Sequence, residues 1–194
     1  MGKKVLGEIK LPLAGIHNIY NFLAAFGVAS TLGFDFPEVK KAVLSFEGVK
    51  RRMEKIGTLG QVPVFDDYAH HPTEIRAVLG ELKKLGRRLI VIFQPHRFTR
   101  VKLLLPNFIE AFHNADILIL TPIYPAGERP IPGVSGRLLF EALKKKRNLP
   151  TYYISSREKI VKFVMRNVQK EDIILTLGAG DITSLFRKRE SLSR

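Results

Sequence analysis

The chain has 194 residues, 45% of them hydrophobic, and its 32 Lys and Arg against 18 Asp and Glu give a formal charge of +14. This is enough apolar material for one α/β domain and a fragment of another. With no cysteine in the sequence, a disulfide framework, a thiolate metal site and a thiol nucleophile are all excluded.

The opening MGKKVLGEIK has no apolar run behind its lysines of the kind a secretory leader needs. The most apolar stretch, 11–28, is interrupted by Pro12, His17, Asn18 and Asn21, groups costly in lipid. These features predict a cytoplasmic protein with no membrane partner. The positive charge raises nucleic acid as a partner. Against it, the clusters Lys50 to Arg52, Lys144 to Arg147 and Arg187 to Arg189 are far apart and carry no interleaved aromatics for base stacking. A small polyanionic substrate suits the same charge, and no nucleic-acid partner is expected.

In chain order, the stretch 14–34 reads as a helix lying between Gly15 and Gly33, and 37–46 as a second helix. Two helices without a strand cannot bury both faces, so this segment reads as the tail of a preceding domain. VPVFDDY (62–68) predicts a strand, followed by a helix over 72–86 that starts at Pro72 and stops at Gly86. RRLIVIFQP (87–95) is a buried strand, and 101–115 a helix in which Pro106 marks a break or a late start. Strands at 116–124, 151–155 and 172–180 alternate with helices at 136–149, 156–169 and 181–192. The β-then-α order implies an α/β fold, a Rossmann-like, mostly parallel sheet with helices on both faces. Ligands in such sheets bind beyond the carboxyl ends of the strands.

At those ends stand DDYAHHP, QPHRFTR, TPIYPAGERPIPGVSG and LGAGD, which gather most of the unusual polar residues on one edge. In DDYAHHPTEI (66–75) the adjacent histidines point apart on a turning backbone, unlike a chelating i, i+4 pair, so a metal site is disfavoured there. Two readings stay open: His71 or Thr73 caps the helix while Asp66 and Asp67 are solvated strand-end acids, or the stretch lines a ligand site with Tyr68 offering a hydroxyl. In QPHRFTR, Arg97 and Arg100 are three apart where strand gives way to helix, so both guanidinium groups could face one anion together with backbone N–H groups. Two surface arginines are the alternative. His96 beside them could hydrogen-bond a reacting group. The glycines of LGAGD suit a nucleotide or simple close packing, and Asn18 and Asn21 suit a ligand or their own helix cap. No GxxxxGK[ST] loop and no GxSxG elbow occurs.

Together GIHNIYN, FEGVKRRME, DDYAHHPTEI, FQPHRFTR, IYPAGERPIPGVSG and LGAGDI resemble, in order and spacing, the carboxyl-terminal portion of the Mur ligases, amide-forming enzymes of peptidoglycan assembly. QPHRFTR and AGERPIPGV resemble the branch that adds the first amino acid, while RRME leans toward the branch that reattaches recycled murein tripeptide. The resemblance implies that 1–48 is the end of an ATPase domain and 49–194 a complete amino-acid-binding domain. It implies ATP and Mg2+ as cofactors, UDP-N-acetylmuramate and L-alanine as substrates, and an acyl phosphate attacked by the alanine amine. It also implies roles: His17, Asn18, Asn21, Arg52 and Asp67 toward the nucleotide, with Arg52 and Asp67 bringing the last domain onto ATP. Tyr68, His70, His96, Arg97 and Arg100 would line the amino-acid and acyl-phosphate side. The phosphate loop, the UDP-binding domain and the metal ligands would belong to domains outside these 194 residues, so this chain is expected to be inactive alone and to partner the remaining domains of the same enzyme.

Overall fold

Side chains of β3 (Arg88–Phe93) alternate between two cores, Leu89, Val91 and Phe93 facing one and Ile90 and Ile92 the other, as the two-residue period of a strand requires. A strand apolar at both alternations must be covered on both sides. The computed structural model describes residues 5–12, 16–46, 48–146 and 148–187, excepting the side chains of His17 and Lys146.

The chain divides into two compact units, Met1–Val49 and Lys50–Arg194. The first contains α1 (Ile16–Thr31) and α2 (Phe36–Leu44). Asp35 starts α2 with a capping box, its carboxylate accepting from Glu38 N at 2.9 Å while Glu38 accepts from Asp35 N at 2.9 Å, which satisfies two orphan amides at once. Phe26 meets Phe36 edge-on at 5.6 Å. Among the described residues of this unit Val39 is the one buried hydrophobic, at 9% exposure, whereas Ile16, Ile19, Leu23, Val28 and Leu32 of α1 and its end stay exposed.

The second unit adds β1 (Glu54–Leu59), β2 (Val62–Asp67), β4 (Ile117–Leu120), β5 (Thr151–Tyr153) and β6 (Asp172–Leu177) to form a six-stranded sheet in the order β1-β2-β6-β3-β4-β5. All neighbours are parallel except β1 against β2. Three helices, α3 (Pro72–Lys83), α4 (Phe98–Ala111) and α5 (Gly136–Lys146), cover one face with Ile75, Leu79, Val101, Phe108, Leu139 and Leu143. The opposite face is covered by Ile160 and Val164 of α6 (Arg157–Asn167) and by Ile182. This is the mostly parallel α/β sheet with helices on both faces that the alternating pattern predicts.

Three local expectations are corrected. Residues 54–59 form an antiparallel edge strand where none was expected; EKIGTL lacks alternating hydrophobicity, and its register with β2 shifts between Lys55 and Gly57. The closing segment is a short 3-10 helix, Asp181–Leu185, rather than a helix over 181–192, of which 188–192 lie outside the described residues. Helix α4 begins at Phe98, three residues early, and bends at Leu104 (φ −110°, ψ 17°), because Pro106 lacks the N–H that the ladder needs.

Phe108 is fully buried with its ring 5.7 Å from that of Phe93. Phe108→Ala should therefore lower stability by about 3–5 kcal/mol in urea unfolding, and a loss below about 1 kcal/mol would mean that α4 does not carry this core.

Candidate functional site

The carboxyl end of β2 begins with two carboxylates turned inward. Asp66 is fully buried, with Oδ1 accepting from Thr176 Oγ1 at 2.6 Å and Oδ2 from Arg51 Nε at 3.1 Å and Thr183 Oγ1 at 2.8 Å. Asp67 is 1% exposed, and its two oxygens accept from Ala69 N and Met53 N, each at 2.8 Å. Burial pushes the Asp67 carboxyl above the usual range despite these two amides and the nearby Arg52 charge. Neither acid is a solvated strand-end group. Of the pair that the resemblance places toward the nucleotide, Arg52 is exposed, while each Asp67 oxygen accepts one backbone amide. The loop that delivers Met53 N carries Arg51 and Met53 at positive φ, 61° and 50°, a costly backbone for non-glycine residues.

Beyond Asp67 the chain turns into α3. Pro72 opens the helix, and His71 is its N-cap, with Nδ1 accepting from Thr73 N at 3.3 Å. Glu74 accepts from His70 N at 3.0 Å and His71 N at 3.2 Å, so the helix satisfies its own amino end. This leaves Tyr68, 39% exposed, and His70, whose rings meet edge-on at 5.3 Å, facing outward. His70 Nδ1 lies 3.0 Å from Tyr68 O, and the Arg51 guanidinium lies over the Tyr68 ring, 4.8 Å from its centre.

The neighbouring loop after β3 brings His96 to 5.6 Å from His70, ring centre to ring centre. Arg100 Nη1 donates to His96 Nδ1 at 3.0 Å and to His96 O at 3.2 Å. On its far side His96 stacks with Tyr124 from the loop after β4, at 5.6 Å and 12°. The two loops are joined by backbone, Arg97 N donating to Tyr124 O at 2.9 Å and Tyr124 N to Pro95 O at 2.8 Å. That bond holds Arg97 at φ 70° and turns its side chain to solvent. Neither Arg97 nor Arg100 has a carboxylate partner within salt-bridge distance among the described residues, which leaves both cations available to an anion.

Backbone N–H groups of α4 do not join them, contrary to the sequence reading. Glu128 of the long loop occupies that helix end, accepting from Thr99 N at 3.1 Å and Thr99 Oγ1 at 2.5 Å. The Thr99 hydroxyl, the amides and Arg97 hold its carboxyl below the usual range. The glycines of LGAGD take the packing reading: a Cβ at Gly180 would collide with Gln94 Oε1 and the Tyr124 ring, and one at Gly178 with Gln94 O. In the first unit Asn21 Nδ2 donates to Asn18 Oδ1 at 3.3 Å, and the His17 side chain lies outside the described residues. Among the described residues no group of three or more His, Asp or Glu could hold a metal ion, and no helix is long and apolar enough to cross a membrane.

The Mur ligase, glutamate ligase domain family matches residues 51–180, which include every residue of this cluster. The chain belongs to the Mur ligase family. It is 48% identical over 180 residues to UDP-N-acetylmuramate--L-alanine ligase of Caldicellulosiruptor saccharolyticus, covering 92% of this chain and 39% of that protein. The corresponding ligase of Geotalea daltonii is 46% identical over 91% of this chain and 39% of its own length. Among solved structures, the UDP-N-acetylmuramate-alanine ligase MurC of Thermotoga maritima superposes with a TM-score of 0.74 at 31% identity, over 91% of this chain and 37% of that one. A murein peptide ligase of Psychrobacter arcticus gives 0.66 at 27% identity, over 92% and 37%. The chain thus spans about two fifths of the length of the curated relatives it matches.

In this Mur ligase domain the sequence-predicted residues Tyr68, His70, His96 and Arg100 form one contiguous cluster with Arg97 at its rim. Sequence reasoning missed Arg51, Tyr124 and Glu128 as its supports. The length of the loop over 121–136 marked the region, but nothing local distinguished Glu128 from any exposed acid.

Burial and then the charges of Arg100, His70 and Arg97 hold His96 below the ordinary histidine value, so the neutral ring persists as pH falls. An NMR titration should place the His96 midpoint below that of a free histidine, and Arg100→Ala should raise it. Glu128→Gln should speed amide hydrogen exchange at Thr99 and across 122–130 while leaving α3 and β3 protected. Unchanged exchange would show that Glu128 does not latch this loop.

Proposed function

We propose that this chain is the carboxyl-terminal, amino-acid-handling part of an ATP-dependent ligase that joins L-alanine to UDP-N-acetylmuramate. The observation that carries the reading is the cluster of Tyr68, His70, His96, Arg97 and Arg100 beyond the ends of β2 and β3, in which the two guanidinium groups have no carboxylate partner among the described residues. Such a site suits a small zwitterion: the guanidinium groups draw its carboxylate, and the imidazoles stand where its amine can be oriented toward an activated acyl group.

ATP, magnesium and the UDP-sugar complete the proposed reaction. Most of their contacts would lie in the rest of the longer enzyme, of which this chain spans about two fifths. From this chain Arg52, exposed beside buried Asp67, would reach toward the nucleotide, and His17, Asn18 and Asn21 would contact it from the first unit. The exposed Ile16, Ile19, Leu23 and Val28 of α1 fit packing against further chain of the same enzyme. A stand-alone nucleic-acid module is disfavoured, because Arg51, Arg88, Arg157 and Arg187 are spent on Asp66, Asp172, Asp181 and Glu54.

In the full-length ligase Arg97→Ala should raise KM for L-alanine by about tenfold to a hundredfold, the scale of a lost charge-assisted contact, with KM for UDP-N-acetylmuramate unchanged. The 194-residue chain alone should release no phosphate from ATP in the presence of both other substrates. An unaltered alanine KM, or turnover by the isolated chain, would overturn the proposal.

A further inference from the structure

The two histidines at the centre of the cluster are each committed through Nδ1, but to partners of opposite character. His70 Nδ1 faces Tyr68 O at 3.0 Å, an atom that can only accept, so in the neutral ring this nitrogen carries the proton and Nε2 holds the lone pair. His96 Nδ1 faces Arg100 Nη1 at 3.0 Å, a group that can only donate, so this nitrogen is the acceptor and Nε2 carries the proton. Nε2 of neither ring has a hydrogen-bond partner among the described residues, and the ring centres are 5.6 Å apart.

We propose that His70 and His96 are locked as opposite neutral tautomers, which makes them a paired acceptor and donor for an ammonium group and for an oxygen that gains negative charge beside it. The surroundings reinforce the split. Around His70 stand Tyr68 and the Glu74 carboxylate, whose Oε2 is 3.7 Å from Nδ1. Around His96 stand Arg97, Arg100, Glu128 and the Tyr124 ring. A proton arriving on His96 is opposed by the two neighbouring guanidinium groups.

Placing an α-amino acid between them rests on the ligase reading above. There the N–H bond of the substrate ammonium breaks, its electron pair stays on nitrogen as the nucleophile, and the proton passes to His70 Nε2. His96 keeps its proton and donates a hydrogen bond to the oxygen that gains charge as the amine adds to the acyl carbon. His70 is then the proton acceptor and His96 the oxyanion donor, with Tyr68 and Arg100 as the positioning residues that set the two tautomers.

The test is long-range proton–nitrogen NMR of the 194-residue chain labelled with 15N-histidine, at a pH where the rings are neutral. His70→Gln and His96→Gln assign the signals. His71, whose Nδ1 accepts from Thr73 N, provides an internal example of an Nε2–H ring. The expected result is an Nδ1–H pattern for His70 and an Nε2–H pattern for His96, with Arg100→Ala converting His96 to a mixture and leaving His70 unchanged. The same tautomer on both rings, or a His96 pattern indifferent to Arg100→Ala, overturns the inference. These signals do not depend on ligase activity, so a failure of the functional reading is seen separately. In the full-length ligase His96→Ala should cost about 10²–10³-fold in kcat and His96→Gln, which keeps a donor near the Nε2 position, about tenfold or less. Equal losses in the two variants would remove the donor role.

Discussion

A carboxylate with no water to face ties this unit together at the end where its site lies. Asp66, fully buried at the end of β2, receives Thr176 from β6, Thr183 from the 3-10 turn and Arg51 from the loop before β1. A buried charge costs several kcal/mol unless it is neutralised and fully hydrogen-bonded, so these four segments are obliged to stay together. Arg51 then also donates to Gly178 O and lies over Tyr68. The outward position of the Tyr68 ring therefore follows from the inward commitment of its neighbour.

Helix amino ends are ordinarily ready anion sites, and this unit fills two of them from within. His71 accepts from Thr73 N at the start of α3, and Glu128 accepts from Thr99 N in the first turn of α4. With those amides occupied, anion recognition is left to the side chains of Arg97 and Arg100, which are longer and carry full charge. The same arrangement fixes the loops: Glu128 holds the β4–α5 loop against α4, which keeps Tyr124 stacked on His96. Order in the cluster thus comes from contacts outside it.

Much of the architecture was legible because its signals are local. Alternating buried strands and amphipathic helices, and Pro72 and Gly86 at helix limits, each report a backbone preference within a few residues. Strand β1 was not legible, since an edge strand with Gly57 at an irregular register carries no alternation and is made by pairing with β2. The early start of α4 was hidden for a related reason: its first turn is stabilised by Glu128, which is 29 residues away from Thr99 in the chain.

For the site, the residue types in DDYAHHP and QPHRFTR already placed Tyr68, His70, His96, Arg97 and Arg100 beyond the ends of a parallel sheet, because the β-then-α alternation and the side-chain chemistry are both written locally. Two of the roles assigned there depended on more. Whether Asp67 faces solvent or its own backbone is decided by Met53 N, delivered by a loop with two residues at positive φ. Which nitrogen of each histidine is free is decided by Tyr68 O and Arg100. The sequence by itself determined the fold class and the chemical inventory of the sheet edge; only the tertiary structure decided burial and protonation, because both depend on which distant group supplies the hydrogen-bond partner.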